Sequence, residues 1–165
     1  MIPIAKPYFT NEEPQAAYDV VASKWLFQGP KVKSFEEKFS DLFNVKHCVA
    51  VNSGSSALLI AQMALDVQPN DEVITSDMTF VSSATSCMFL GAKPIFCDIS
   101  LNDYNIEPKN IEKKINQNTK VIIPVHYAGQ PANMDEIVSL GKKYNIPILE
   151  DAAEAHLSEF NSRKS

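Results

Sequence analysis

The 165-residue sequence has no basic excess, no long apolar run and very little cysteine, and each shortage removes a class of function. Fifteen Lys and Arg stand against 20 Asp and Glu, a net charge of −5 at pH 7. Nucleic acid and anionic membrane surfaces are bound through a basic footprint, so neither is expected as a partner. No stretch is long and apolar enough to span a bilayer, and Met1–Pro7 is not a secretory signal. Cys48, Cys87 and Cys97 are odd in number and show no C-x-x-C spacing. They read as reduced, buried thiols of a cytoplasmic protein, not as a disulfide framework or a metal site. His47, His126 and His156 lack metal-ligand spacing, and no G-x-S-x-G nucleophile elbow occurs.

What is present is a globular composition, 45% hydrophobic, sufficient for one ordinary domain core. After an extended, Pro-rich start, Asn11-Glu12-Glu13-Pro14 opens a helix whose apolar face is Ala16, Ala17, Val20 and Val21. A loop follows, from Ser23 to Pro30, holding the only tryptophan, Trp25, beside Phe27. Such an aromatic cluster is either a packing plug or an interface element. Lys31–Phe43 returns to helical spacing with Val32, Phe35, Phe39 and Leu42/Phe43 on one face.

From there strands and helices alternate. Strands are expected at His47–Val51, Glu72–Thr75, Pro94–Ile99, Lys120–Val125 and Pro147–Glu150, with helices between them. That alternation implies a three-layer α/β/α fold with a mainly parallel sheet. Parallel strands bring their C-terminal ends to one side, where ligands bind in open α/β sheets. The turns Asn52–Ser56, Asp77–Phe80, His126–Gly129 and Asp151–His156 therefore face one crevice.

Each turn also has a plain explanation. Asn52-Ser53-Gly54-Ser55-Ser56 before a buried helix is either a phosphate cradle or an ordinary N-cap. It matches neither the dinucleotide nor the P-loop pattern. Phe80 is a core residue or a ring that stacks on a flat ligand, and His126 is structural or functional. Asp151 reads locally as the N-cap of a helix, with Glu154 closing a capping box three residues later.

Taken together and in order, Asn52-Ser53-Gly54-Ser55-Ser56-Ala57-Leu58, Thr79-Phe80, Pro124-Val125-His126-Tyr127-Ala128-Gly129 and Glu150-Asp151-Ala152-Ala153-Glu154-Ala155-His156 resemble nucleotide-sugar aminotransferases of the DegT/DnrJ/StrS type. These belong to the fold type I, aspartate aminotransferase-like enzymes that use pyridoxal 5'-phosphate. The resemblance runs nearly end to end and includes Pro7–Phe39.

It implies that Asp151 pairs with the pyridine nitrogen and Phe80 stacks on the ring. It further implies that Gly54, Ser55 and the Ser56 amide hold the phosphate, and that Glu154 lies near the ring hydroxyl. Trp25, Phe27, His126 and Tyr127 are the implied substrate contacts, with Trp25–Pro30 reaching into a neighbouring subunit of a homodimer. Glutamate is the implied amino donor and a nucleotide-linked keto-sugar the acceptor.

Two departures stand out. Leu157 occupies a position where the family usually has glycine. The lysine that attaches the cofactor falls a few tens of residues beyond Asp151, and its role is not transferred to Lys164. The expectation is thus an N-terminal part of the large domain (1–165), without the small C-terminal domain and inactive alone. A non-catalytic binding module and a sugar dehydratase of the same family are the alternatives. The family sheet order 3-2-4-5-6-7-1 further implies that His47–Val51, the first strand, cannot join the sheet in its usual place within these residues.

Overall fold

A computed structural model describes residues 2, 3 and 6–164, in two compact units, Met1–Ala50 and Val51–Ser165. The first unit holds α1 (Glu12–Ala22) and α2 (Pro30–Phe43). Pro30 sits at the start of α2, where its missing N–H costs nothing. Asn44, at φ 51°, ends that helix in the left-handed region. Along α2 the rings of Phe35, Phe39 and Phe43 form a ladder with centroids 5.5 and 4.5 Å apart, the contact their i,i+4 spacing predicts. Trp25 packs on Phe27 at 5.7 Å and donates its indole N–H to the Gln28 carbonyl at 3.2 Å. A side chain at Gly29 would collide with that indole, its Cβ only 2.2 Å from Trp25 Nε1.

The second unit is a parallel sheet between helices. Its elements run α3 (Gly54–Ala64), β1 (Glu72–Ser76), α4 (Ser82–Met88), β2 (Lys93–Cys97), α5 (Pro108–Lys114), β3 (Thr119–Ile123) and α6 (Met134–Tyr144). A short hairpin follows, β4 (Glu159–Phe160) and β5 (Arg163–Lys164). The parallel order is β2-β1-β3. Strand residues alternate between two cores, as period two requires. Ile74 and Ile122 pack with Ile111 of α5 and Ile137 of α6, while Val73, Val121 and Ile123 pack with Leu58 of α3 and Cys87 of α4. The three-layer α/β/α expectation is met.

Residues 147–151 extend the sheet beside β3 through the parallel bridges Ile122↔Ile148 and Val125↔Asp151. The spatial order is therefore that of strands 3-2-4-5 in the resemblance. The ladder breaks because Pro124 has no N–H to donate, leaving bonds on either side of it: Leu149 N–H to Ile122 O at 3.0 Å and Asp151 N–H to Pro124 O at 2.9 Å. Residues 47–51, expected as a strand, pair with none among the described residues.

Cys87 and Cys97 are buried, and burial pushes both thiols up to about 11, so they are inert. Cys48, expected buried as well, is partly exposed. Among the described residues no helix is long and apolar enough to cross a membrane, and no His/Cys/Asp/Glu cluster has the make-up of a metal site.

Candidate functional site

The strand-end turns converge on a cavity of about 320 Å³ lined by Gly54, Ser55, Thr79, Phe80, Tyr127, Asp151 and Glu154, among others. A larger cleft, about 490 Å³, runs along α6 and the hairpin. Its Asp135 carboxylate is engaged by Asn161 Nδ2 at 2.7 Å. Convergent chemistry is found in the smaller cavity.

One wall is the start of α3. Ser53 caps the helix, its Oγ accepting the Ser56 N–H at 3.1 Å. The Ser56 amide, expected at a phosphate, is thus directed to Ser53 here. The first-turn amides of Gly54 and Ser55 are donors without intrahelical partners, as at any helix start. A Cβ added to Gly54 would meet nothing within 4 Å, so open space lies in front of that backbone.

The second wall is the turn after β1. Phe80 is 73% exposed, which is not the burial of a core residue. Its ring stands at the cavity.

The floor is Asp151, only 9% exposed. Here the local reading fails: residues 152–158 form successive turns, not a capped helix. Asp151 Oδ1 accepts the Ala153 N–H at 3.2 Å, while Oδ2 accepts the Ser83 hydroxyl at 2.6 Å. Glu154 reaches away from its own segment and accepts the Ala128 N–H at 2.8 Å. Each acid takes a tertiary partner, Ser83 for Asp151 and Ala128 for Glu154, and of these bonds only that of Asp151 with Ala153 is local.

The third wall is the turn Tyr127–Gly129, in which Tyr127 faces the cavity. Gly129 has φ +84°, and a Cβ there would lie 3.2 Å from the Glu154 carbonyl oxygen. His126, expected at the substrate, is instead fully buried behind this wall. Its Nδ1 accepts the Ala132 N–H at 3.1 Å, so Nε2 carries the proton and donates to Glu150 at 3.0 Å. Both ring nitrogens are occupied, and the histidine supports the turn. Trp25 and Phe27 belong to the first unit.

Two residues escaped the sequence reading. Ser83 touches Asp151 across 68 positions, and its one signal is the Thr79/Ser83 spacing at a helix start. Asn105 clamps the turn after β3 by three hydrogen bonds, for which local spacing gives no signal.

Residues 7–165 match the DegT/DnrJ/EryC1/StrS aminotransferase family. The chain belongs to this family. It is 40% identical over 162 residues to the spore coat polysaccharide biosynthesis protein SpsC of Bacillus subtilis, covering 98% of this chain and 42% of SpsC. It superposes on the aminotransferase from Psychrobacter cryohalolentis with TM-score 0.88 and 36% identity, covering 93% of this chain and 40% of that one. It also superposes on the E. coli GDP-4-keto-6-deoxy-D-mannose-3-dehydratase with bound hydrated pyridoxal phosphate, with TM-score 0.92 and 30% identity over 99% and 43%. The architecture is that of fold type I enzymes, and the family and its structural neighbours depend on pyridoxal phosphate. The chain spans about two fifths of the length of these relatives.

The Leu157 departure acquires a physical meaning in this fold. Its φ is 68°, in the left-handed region that disfavours any side chain with a Cβ. The side chain is 53% exposed, so little packing holds it there. Leu157→Gly is expected to raise stability by about 0.5–1 kcal/mol in chemical denaturation, the relief exceeding the added chain entropy. A loss of stability would show that the leucine contributes packing at this turn.

Proposed function

We propose that residues 51–165 hold pyridoxal phosphate for an aminotransferase acting on a nucleotide-linked keto-sugar in polysaccharide biosynthesis. One observation carries the reading: a helix start with open backbone, an exposed aromatic ring and a buried carboxylate face the same cavity at the sheet's C-terminal edge.

The donor set fits the cofactor. The Gly54 and Ser55 amides and the Ser55 hydroxyl suit its phosphate, since the helix dipole and unpaired N–H groups favour an anion. Phe80 covers one face of the ring. Asp151 holds a proton on the ring nitrogen, and Glu154 borders the ring hydroxyl. Bound pyridoxal phosphate supplies an electron sink for the carbon that loses its proton. Asp151 keeps that sink cationic; an amide or apolar residue there would not.

Tyr127 contributes the sugar-facing wall, and His126 holds it in place. Trp25 and Phe27 reach the site of a second subunit in a cytoplasmic homodimer, and glutamate is the amino donor. A sugar dehydratase of the same family is the second reading, since the E. coli 3-dehydratase superposes as closely as sugar aminotransferases do. The residue at the lysine position discriminates the two.

The 165-residue chain alone is expected to bind the cofactor without covalent attachment and without turnover. Titration with pyridoxal phosphate should show saturable binding, weakened about tenfold by Phe80→Ala as the stacking contact is lost. Borohydride treatment should leave no adduct at a specific lysine. Binding indifferent to Phe80, or such an adduct, would overturn the reading.

A further inference from the structure

We propose that Ser83 is a positioning residue for the cofactor-facing carboxylate, acting through Asp151 and oriented in turn by Thr79. The inference rests on the cofactor reading above and adds to it a chain of hydroxyls that sets the direction of the acid.

Ser83 is fully buried near the start of α4. Its Oγ lies 2.6 Å from Asp151 Oδ2 and 2.8 Å from Thr79 Oγ1. A serine hydroxyl has one proton, and an ionised carboxylate can only accept. The Ser83 proton therefore points at Asp151, and Thr79 must supply its own proton to Ser83. The chain runs one way, from Thr79 to Ser83 to Asp151.

Asp151 is thus fixed by a donor on each oxygen, Ser83 on Oδ2 and the Ala153 N–H on Oδ1. Two anchors set the plane of the carboxylate, and each oxygen keeps a lone pair for a donor in the cavity. A hydroxyl bonded to a poorly solvated carboxylate is among the stronger neutral-donor bonds, and adding a second hydroxyl behind it polarises it further.

Ordinary helix chemistry does not explain the serine. Val81 is the N-cap residue of α4, and no side chain caps that helix. Ser83 does not line the cavity, although Ser82 and Thr79 do. Any effect of Ser83 on a ligand must therefore pass through Asp151 or Thr79, and only the Asp151 route depends on the ring nitrogen.

The test uses the full chain and two ligands: pyridoxal phosphate and an analogue with CH in place of the ring nitrogen. Ser83→Ala is expected to weaken pyridoxal phosphate about tenfold, the scale of one charge-assisted bond, and to leave the analogue unchanged. Asp151→Asn should show the same ligand discrimination, and adding Ser83→Ala to it should cost pyridoxal phosphate nothing more. Equal weakening of both ligands, no weakening of either, or additive losses would overturn the proposal.

If Asp151→Asn fails to distinguish the ligands, the cofactor reading itself falls. If it distinguishes them and Ser83→Ala does not, only the positioning role falls. Should Ser83→Ala not fold, Ser83→Cys keeps the volume with a poor donor and carries the same expectation.

Discussion

On the proposed function, Asp151→Asn in a chain that also carries the cofactor-attaching lysine is expected to lower transamination turnover at least about a hundredfold while leaving the fold intact. The size follows from removing one partner of a poorly solvated charge pair, roughly 3–5 kcal/mol. Asparagine has the shape of aspartate and can keep the local structure. Its carbonyl oxygen can accept the Ala153 N–H, and its NH₂ can donate to Ser83 Oγ if that hydroxyl turns its proton toward Thr79. The hydroxyl chain then runs backwards with every bond satisfied, and only the charge is gone. Thermal unfolding should therefore change little, and turnover should change greatly. Turnover close to wild type would show that Asp151 does not face the ring nitrogen. A collapse of stability instead would mean that the carboxylate matters mainly to its protein neighbours.

The sequence made the crevice legible because parallel topology alone decides which ends of the strands share a side. Gly54, Phe80, Tyr127 and Asp151 do meet there. The details within each turn were less legible, for a common reason. Asp151 and Glu154 have the spacing of a capping box, but beside the local Asp151–Ala153 bond they take Ser83, 68 positions away, and Ala128, 26 positions away. Long-range hydrogen bonds leave no trace in local spacing. The apolar run 47–51 has strand composition, yet pairing is a property of neighbours that the run itself does not encode. His126 next to Tyr127 looked like one functional pair. Tyr127 lines the cavity, whereas the neighbouring imidazole is buried. Asn105 carries no local signal, because its importance lies in a turn 22 to 26 residues later.

That turn gives the second large expectation. Asn105→Ala should destabilise the protein by about 3 kcal/mol, on the order of 1 kcal/mol for each hydrogen bond lost at a buried site. The side chain is 2% exposed; Oδ1 accepts the Tyr127 N–H at 3.0 Å, and Nδ2 donates to the Gln130 and Pro131 carbonyls at 3.0 and 3.3 Å. Those backbone groups belong to a turn in which Ala128 sits at φ 51°, a conformation the chain does not hold without external anchors. For a chain of this size the melting midpoint should fall by roughly 10 °C. Asn105→Asp separates the anchors. It keeps an acceptor for Tyr127 but turns an anion toward two carbonyl oxygens, so it should be at least as destabilising as alanine. Hydrogen exchange should place the damage: the Tyr127 amide loses protection, whereas the Ile122 amide in the sheet keeps it. If the two amides lose protection together, Asn105 supports the whole sheet and not the Tyr127 wall of the cavity in particular. Protection at Tyr127 unchanged in Asn105→Ala would remove the clamp from the account, leaving His126 and Glu154 as the anchors of that turn.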